Sequence, residues 1–203
     1  MKLLSIDTST LTAGVAAWQD GRTLAERRAR VTTHSDALLT MVDEALREAG
    51  WQAADLDGVA CVSGPGSFTG LRIGLSAARG LGLALNVPVI GIPSLLALSL
   101  QARCDAVAVL LDARRDEAYI QTFSGPGIPI REPALLPMDE ARRLVPHGAQ
   151  TITSPFVDIA ALARFAATAD PALYPPEASY IRGADAKPQE KFRVARVPGD
   201  VPA

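Results

Sequence analysis

Blocks of apolar and polar residues follow one another along the first half of the chain, and their lengths predict both strands and helices. Short apolar runs at residues 2–6, 13–19 and 23–31 are separated by polar turn residues, which predicts three consecutive strands. Residues 35–49 follow with apolar side chains at helical spacing and stop before a glycine. The chain therefore opens with three strands and a helix.

The most distinctive pattern lies in the next block. An apolar run at residues 59–62 leads into a Ser-Gly-Pro-Gly-Ser loop and then into an almost wholly apolar helical segment at residues 69–85. A Gly-rich loop before a helix can hold a phosphate or carboxylate, because the first backbone N–H groups of a helix are unpaired. The alternative is a tight turn with Ser67 or Thr69 as the helix cap, and the missing Gly-Lys-Ser/Thr of a P-loop favours that alternative.

Small residues form one row along this second helix. They are spaced four residues apart and so share a face: Gly70, Gly74, Ala78 and Gly82. Each glycine inside a helix costs about 1 kcal/mol relative to alanine, so the row predicts that another backbone packs closely against it.

The first helix carries apolar residues over an arc of about 160°, wider than one core-facing stripe requires. We predict that both helices pair with the equivalent helices of another subunit. The alternative is that the glycine row packs on the first helix of the same subunit. From the first helix, the residues assigned to this interface are Leu38, Leu39, Met41, Val42 and Ala45.

The opening pattern restarts near residue 105. The segment DAVAVLLDARRDEAYIQTFSGPG repeats the order of KLLSIDTSTLTAGVAAWQDG, with an apolar run, an aspartate, a polar turn and an alternating strand, and it aligns Asp112 with Asp7. This repeat predicts a duplicated domain, with one α/β subdomain at residues 1–102 and a reduced second one at residues 103–203.

Weaker signals predict strands at residues 87–92, 119–123 and 128–136, helices at 94–101, 139–144 and 156–169, and a loop-like tail from residue 170.

Composition and charge exclude several functions. With 203 residues, 48% of them hydrophobic, the chain has ample material for a core. A net charge of −2 with scattered charges does not suggest an independent nucleic-acid binder. Cys61 and Cys104 lack metal spacing, so we expect reduced thiols. The first residues lack a signal-peptide pattern and prolines divide the uncharged residues 80–100, so we expect a cytoplasmic protein with no membrane span.

Four motifs together resemble a known family. They are LLSIDTS, SGPGSFTGLRIGL, LLDARRDEAY and YIRGADAKPQ, and they are similar to the TsaB (YeaZ) family of the actin, hexokinase and Hsp70-like ATPase superfamily. The resemblance spans nearly the whole chain. It implies an α/β fold of two tandem actin-like (ASKHA, RNase H-like) subdomains, with mixed sheets flanked by helices and a reduced second subdomain.

The resemblance also implies a function. Members of this family are non-catalytic dimerisation or scaffold subunits in the synthesis of N6-threonylcarbamoyladenosine (t6A) at position 37 of tRNA. They pair with the catalytic paralogue TsaD and with the ATPase TsaE, form a homodimer when alone, and reach tRNA only through the complex. The alternative is a small ATPase or phosphotransferase of the actin-like superfamily.

The chain departs from the catalytic paralogue in its metal-binding motif. That paralogue holds a metal with a His-x-x-x-His pair, because imidazoles one helical turn apart can share a cation. Here Leu38 follows His34 at that spacing, and the other histidine is His147. We therefore expect no metal, no cofactor and no catalytic residue in this chain.

A second departure concerns nucleotide binding. Asp7, Thr8, Ser9 and Thr10 match the first phosphate hairpin of the superfamily, but Ala-Arg-Arg-Asp at residues 113–116 fills the second hairpin with bulky side chains. We therefore expect the first hairpin to be vestigial. For Asp7, the alternative is a turn carboxylate that accepts hydrogen bonds from nearby backbone N–H groups.

The tail has two possible roles. Residues 180–191 carry Arg182, Lys187 and Lys191, which could contact RNA or a partner in the complex. The alternative is a solvated or back-packed tail.

Overall fold

The protein is built on two mixed β-sheets, seen in a computed structural model that describes residues 1–10, 12–30 and 34–181. The first sheet has the strand order β3-β2-β1-β4-β5. Its strands are β1 (Lys2–Asp7), β2 (Thr12–Gln19), β3 (Arg22–Arg30), β4 (Gly58–Gly64) and β5 (Val89–Pro93). The helices of this half are α1 (His34–Glu48), α2 (Phe68–Leu85) and α3 (Ser94–Ser99).

The second sheet repeats the first with one strand fewer. Its order is β8-β7-β6-β9, and its elements are β6 (Val107–Arg114), β7 (Glu117–Phe123), β8 (Ala134–Pro137), α4 (Met138–Arg143), β9 (Gln150–Ile152) and α5 (Ile159–Ala166). In each sheet the opening strand pairs antiparallel with the next strand and parallel with a later one, β4 for β1 and β9 for β6. This confirms the α/β fold with two mixed sheets and a reduced second copy. The subdomain boundary at residue 102 stays a prediction.

The first sheet is covered on both faces. Alternate side chains of its strands, such as Leu4 and Cys61, pack against α1 and α2 on one face. The other face packs against α3 and α5, and its apolar cluster continues into the second sheet through Val107, Val109 and Phe123. Because α5 comes from the second half and lies on the first sheet, the two halves share one core.

The glycine row of α2 faces its own subunit. All four of its residues are buried. A Cβ added to Gly70 would overlap the carbonyl oxygen of Thr8, one added to Gly74 would overlap the Thr8 hydroxyl, and one added to Gly82 would overlap Val89. The prediction that this row forms an intersubunit groove is therefore wrong. The alternative, packing on α1, is wrong as well, because the nearest atoms belong to the sheet side of the subunit.

Three elements of the second half differ from expectation. The strand predicted at residues 128–136 is reduced to β8 and a single bridge between Phe123 and Pro129. β9 was not predicted, because three residues are too few to show an alternating pattern. The last helix begins only at residue 159, where the Asp158 carboxylate caps it by accepting from the N–H groups of Ala160 and Ala161.

The described part of the tail packs back onto the first sheet. The N–H of Gly91 donates to the carbonyl of Tyr174 at 2.8 Å, and the N–H of Ser179 donates to the carbonyl of Ser63 at 2.8 Å. Residues 182–191, on which the RNA-contact hypothesis depends, lie outside the described residues. Within residues 1–10, 12–30 and 34–181, no helix is both long enough and apolar enough to cross a bilayer.

A pair of glycine variants tests the packing of α2. We expect Gly70→Ala to lower the free energy of unfolding by about 1–3 kcal/mol, because the new methyl group would overlap the Thr8 carbonyl. Gly80→Ala is the matched control, since nothing lies within 4 Å of its added Cβ, and it should raise the free energy by about 0.5–1 kcal/mol. Chemical denaturation measures both. Equal effects in the two variants would contradict the packing described here.

Candidate functional site

The connection between β1 and β2, predicted as a vestigial phosphate hairpin, is bonded to the start of α2. The Asp7 carboxylate is 5% exposed and accepts a hydrogen bond of 2.8 Å from the N–H of Ser9. The Thr8 hydroxyl donates to the carbonyl of Gly70 at 2.7 Å, and the N–H of Ser67 donates to the carbonyl of Ser9 at 2.8 Å. The Asp7 contact agrees with the turn-carboxylate interpretation.

These bonds engage two donors that could otherwise bind a phosphate, the Thr8 hydroxyl and the Ser67 N–H. Asp7 and Thr8 are buried, and Ser9 and Thr10 line the adjacent cleft. The Thr10 hydroxyl lies 3.3 Å from the backbone N–H of Thr12. The hairpin therefore anchors α2 to the sheet.

The hairpin between β6 and β7 repeats this arrangement in the second half. The Asp112 carboxylate accepts from the N–H of Arg114 at 2.7 Å, the same two-residue offset as between Asp7 and Ser9. Arg114, Arg115 and Asp116 all have left-handed backbone conformations, with φ of 63°, 56° and 61°. Each residue in this conformation costs about 1–2 kcal/mol of conformational free energy, so the turn beside the cleft has a strained backbone.

A cleft of about 490 Å³ lies between the two hairpins and the N-terminal end of α2. Its apolar wall includes Leu98, Leu111 and Val157, and Arg114 and Asp112 bring charge to it. Side-chain hydroxyls are frequent among its lining residues, which include Ser9, Thr10, Ser67, Ser94, Thr153 and Tyr119. Such a mixture of an apolar wall and convergent polar groups is typical of small-molecule sites.

The predicted partner surface is mostly buried in the subunit itself. Of the nine residues assigned to it, Leu39 alone is exposed, at 63%. Four from α1 belong to the subunit's own core: Leu38, Met41, Val42 and Ala45. The four residues of the α2 row are buried as described. Helical spacing identified the apolar arc correctly but could not say which part of it the subunit's own sheet covers.

Sequence reasoning missed three exposed residues of α2. Leu83 is 87% exposed, Phe68 is 57% exposed, and Gly80 is exposed between them. The sequence could have identified Leu83 as exposed, because at helical spacing it lies outside the buried arc that the glycine row defines. Leu39 is exposed on α1, and Gly80 and Leu83 are exposed three residues apart on α2; we call these three residues the α1/α2 surface.

Acidic, histidine and cysteine side chains are dispersed in the described part of the chain. No three of them come close enough there to hold a metal ion. The expectation that the protein needs no metal stays a prediction, and the side chain of His34 lies outside what the structure describes.

The two cysteines lie in opposite environments. Cys61 is fully buried in β4, and loss of hydration, with a smaller effect from the Asp7 carboxylate, raises the pKa of its thiol to about 12. Cys104 is exposed in the connection before β6. Only the second thiol is placed to meet a reagent in solution.

The duplicated mixed sheets, the paired hairpins and the cleft between them are the arrangement expected of the actin-like fold. A family model described as "TsaD: tRNA N6-adenosine threonylcarbamoyltransferase" matches residues 28–127. The solved structure of YeaZ from Pseudomonas aeruginosa matches with a TM-score of 0.72 and 27% identity, covering 88% of this chain and 99% of that one. The chain is therefore similar to proteins of the TsaB (YeaZ) family.

Two curated relatives show the same similarity. The tRNA threonylcarbamoyladenosine biosynthesis protein TsaB of Escherichia coli K12 is 38% identical over 123 residues, which is 59% of this chain and 53% of the relative. The protein of the same name from Bacillus subtilis 168 is 32% identical over 122 residues, with 59% and 53% coverage. The chain thus matches these relatives over about half of their length.

The cysteine environments predict selective labelling. At pH 8 a thiol reagent should modify one cysteine of the folded protein, Cys104, and both after unfolding, because the raised pKa keeps buried Cys61 protonated. Since the unfolded thiol ionises first, the stability associated with Cys61 should fall as pH rises from about 9 toward 12. Mass spectrometry of the labelled protein identifies the site, with Cys104→Ser as the control. Rapid modification of folded Cys104→Ser would contradict the burial of Cys61.

Proposed function

We propose that this chain is a non-catalytic subunit of the machinery that makes t6A on tRNA, and that it pairs with the catalytic paralogue TsaD. Similarity to the TsaB family supports the pathway, since the curated relatives carry the name of that biosynthesis. The match to the TsaD family model supports a common ancestry with the transferase itself. TsaE and tRNA would join the assembly through the complex, in the cytoplasm.

The observation that carries the pairing is the α1/α2 surface. Leu83 and Leu39 expose apolar side chains at 87% and 63%, and Gly80 adds a position where nothing lies within 4 Å of an added Cβ. Exposed apolar side chains beside a small residue on a helix suit a second helix packed closely across it.

The occupant of this surface follows from shared ancestry. A paralogue with the same fold has equivalent helices, and two such chains can meet around a pseudo-two-fold axis with like surfaces in contact. When TsaD is absent, a second copy of this chain can take its place. The homodimer of the isolated protein and the heterodimer with TsaD would then compete for one surface.

The state of the first hairpin supports a non-catalytic role. Thr8 donates its hydroxyl to α2, and the Ser9 carbonyl accepts from the N–H of Ser67, so these groups serve the fold. An ATPase or phosphotransferase would need such donors, the Thr8 hydroxyl and the Ser67 N–H, for phosphate. The ATPase alternative would gain support from steady ATP hydrolysis by the purified chain, whereas our proposal expects none above background.

Leu83→Arg tests the interface. A charged side chain at this position should leave the free protein folded, because Leu83 is 87% exposed, and should weaken association with TsaD by about a hundredfold or more through desolvation of the guanidinium. Size-exclusion chromatography with TsaD measures association, and circular dichroism checks the fold.

The matched control is Ile130→Arg. Ile130 is also exposed, at 57%, but lies between β7 and β8 of the second sheet, which α1 and α2 do not cover. It should bind TsaD like the unmodified protein and support t6A formation by the reconstituted complex. If Leu83→Arg still binds normally, α2 does not form the interface. If both variants fail, the effect is not specific to this surface.

A further inference from the structure

The outward face of α2 carries two arginines and no acidic residue. Five of its exposed side chains recur every three or four residues and so share one side of the helix. We call them the α2 stripe: Phe68, Arg72, Ser76, Arg79 and Leu83. At about 1.5 Å per residue the stripe is about 22 Å long. It has an apolar side chain at each end and positive charge in between, and through Leu83 it continues the α1/α2 surface.

Two aromatic side chains hold Arg72 in place on this stripe. Its guanidinium carbon lies 3.7 Å from the centre of the Phe68 ring, and its Nε donates to the Tyr180 hydroxyl at 3.2 Å. Tyr180 reaches α2 because the preceding residue, Ser179, is bonded through its N–H to the carbonyl of Ser63 in β4. Neither an aromatic ring nor a hydroxyl cancels the charge of a guanidinium. Arg72 therefore presents a positive charge in a fixed position.

No carboxylate forms an ion pair with Arg72 or Arg79 in the part of the chain that the structure describes. The ion pairs found there involve other cations, such as Arg27 with Glu44 of α1. A cavity of about 370 Å³ lies beside both stripe arginines, so an acidic side chain from another molecule has room to approach them. The α2 stripe is therefore a surface with unbalanced positive charge.

The order of side chains along the α2 stripe is nearly symmetric. Phe68 and Leu83 lie equally far from its midpoint, and so do the two arginines. Identical chains usually pair around a two-fold axis. If two α2 helices pack antiparallel about this midpoint, each Phe68 meets the second copy's Leu83. In the same packing each Arg72 meets the second copy's Arg79, so self-association buries apolar side chains but brings like charges together.

We propose that Arg72 and Arg79 select a different subunit over a second copy of this chain. The partner that fits them is a helix with apolar side chains at both ends of the contact and carboxylates opposite the two arginines. The arginines are seven residues apart, so these carboxylates lie about 10 Å apart along the partner's helix. Opposite charges then stabilise the mixed pair, while like charges disfavour the self-pair. This selectivity rests on the proposed function, because it takes α2 as the contact.

Charge-reversed variants of the full chain test the self-pairing. Arg79→Glu should tighten the homodimer about tenfold or more, because each introduced carboxylate meets Arg72 of the other copy. The double variant Arg72→Glu/Arg79→Glu should return to about the affinity of the unmodified chain, since like charges face each other again. Arg143→Glu is the matched control on the exposed side of α4 and should leave the homodimer unchanged. Analytical ultracentrifugation measures all four proteins.

Association with the catalytic paralogue should change in the opposite direction. Arg79→Glu should weaken it about tenfold or more, the double variant should weaken it further, and Arg143→Glu should leave it unchanged. Raising sodium chloride from about 50 to about 500 mM should weaken this complex and tighten the homodimer, because salt screens attraction and repulsion alike. Circular dichroism checks that the variants are folded, as expected for changes at exposed positions.

Two results would overturn the proposal. A homodimer that Arg79→Glu leaves unchanged, or that changes further in the same direction in the double variant, shows that the two arginines do not face each other across a two-fold axis. A complex that Arg79→Glu leaves unweakened shows that no carboxylate of the partner lies opposite. If the unmodified chain does not bind the paralogue at all, the proposed function fails, whereas the homodimer still decides whether the arginines oppose self-pairing.

Discussion

The close contact between the β1–β2 connection and α2 is the constraint on which much of this structure depends. Thr8 reaches the backbone of α2 at Gly70, and Ser67 binds the Ser9 carbonyl. No side chain larger than hydrogen fits at Gly70 without moving the backbone of Thr8. The glycines lower the helix propensity of this segment, but they allow α2 to lie directly on the sheet. This contact also fixes where α2 begins, and so where the cleft opens.

The same contact engages hydrogen-bond donors that lie beside the cleft. In the first half, the Thr8 hydroxyl and the Ser67 N–H bind the carbonyls of Gly70 and Ser9. In the second half, the turn after Asp112 keeps the bond between carboxylate and N–H of its counterpart but carries two arginines in left-handed conformations. The cleft between the hairpins is therefore lined by hydroxyl groups and by the charged side chains of Asp112 and Arg114.

Much of the fold was predictable from the sequence, and the pattern of errors has a physical cause. The Asp7 and Asp112 repeats identified the duplication, and period-two and helical spacing found every strand of the first sheet. The glycine row correctly indicated close packing. It could not identify the group that packs against it, because a small residue shows only that another group lies nearby. The apolar arc of α1 likewise could not show which of its residues lie in the core and which lie at the surface. Leu38 and Leu39 are neighbours of equal hydrophobicity, yet 1% and 63% exposed, since the sheet lies on one side only.

β9 and the return of the chain at Tyr174 and Ser179 depend on backbone bonds to distant residues, which side-chain patterns do not encode.

The position of α5 carries a consequence for how the molecule holds together. This helix is made by the second half but rests on β1 and β2, where the Ser5 hydroxyl donates to the carbonyl of Ile159 at 3.1 Å. Withdrawing it would expose the part of the first sheet that it covers, on the face that it shares with α3. The two halves are therefore joined through a common apolar cluster. An insertion, a cut or a permutation between them would have to preserve the contact of α5 with β1 and β2.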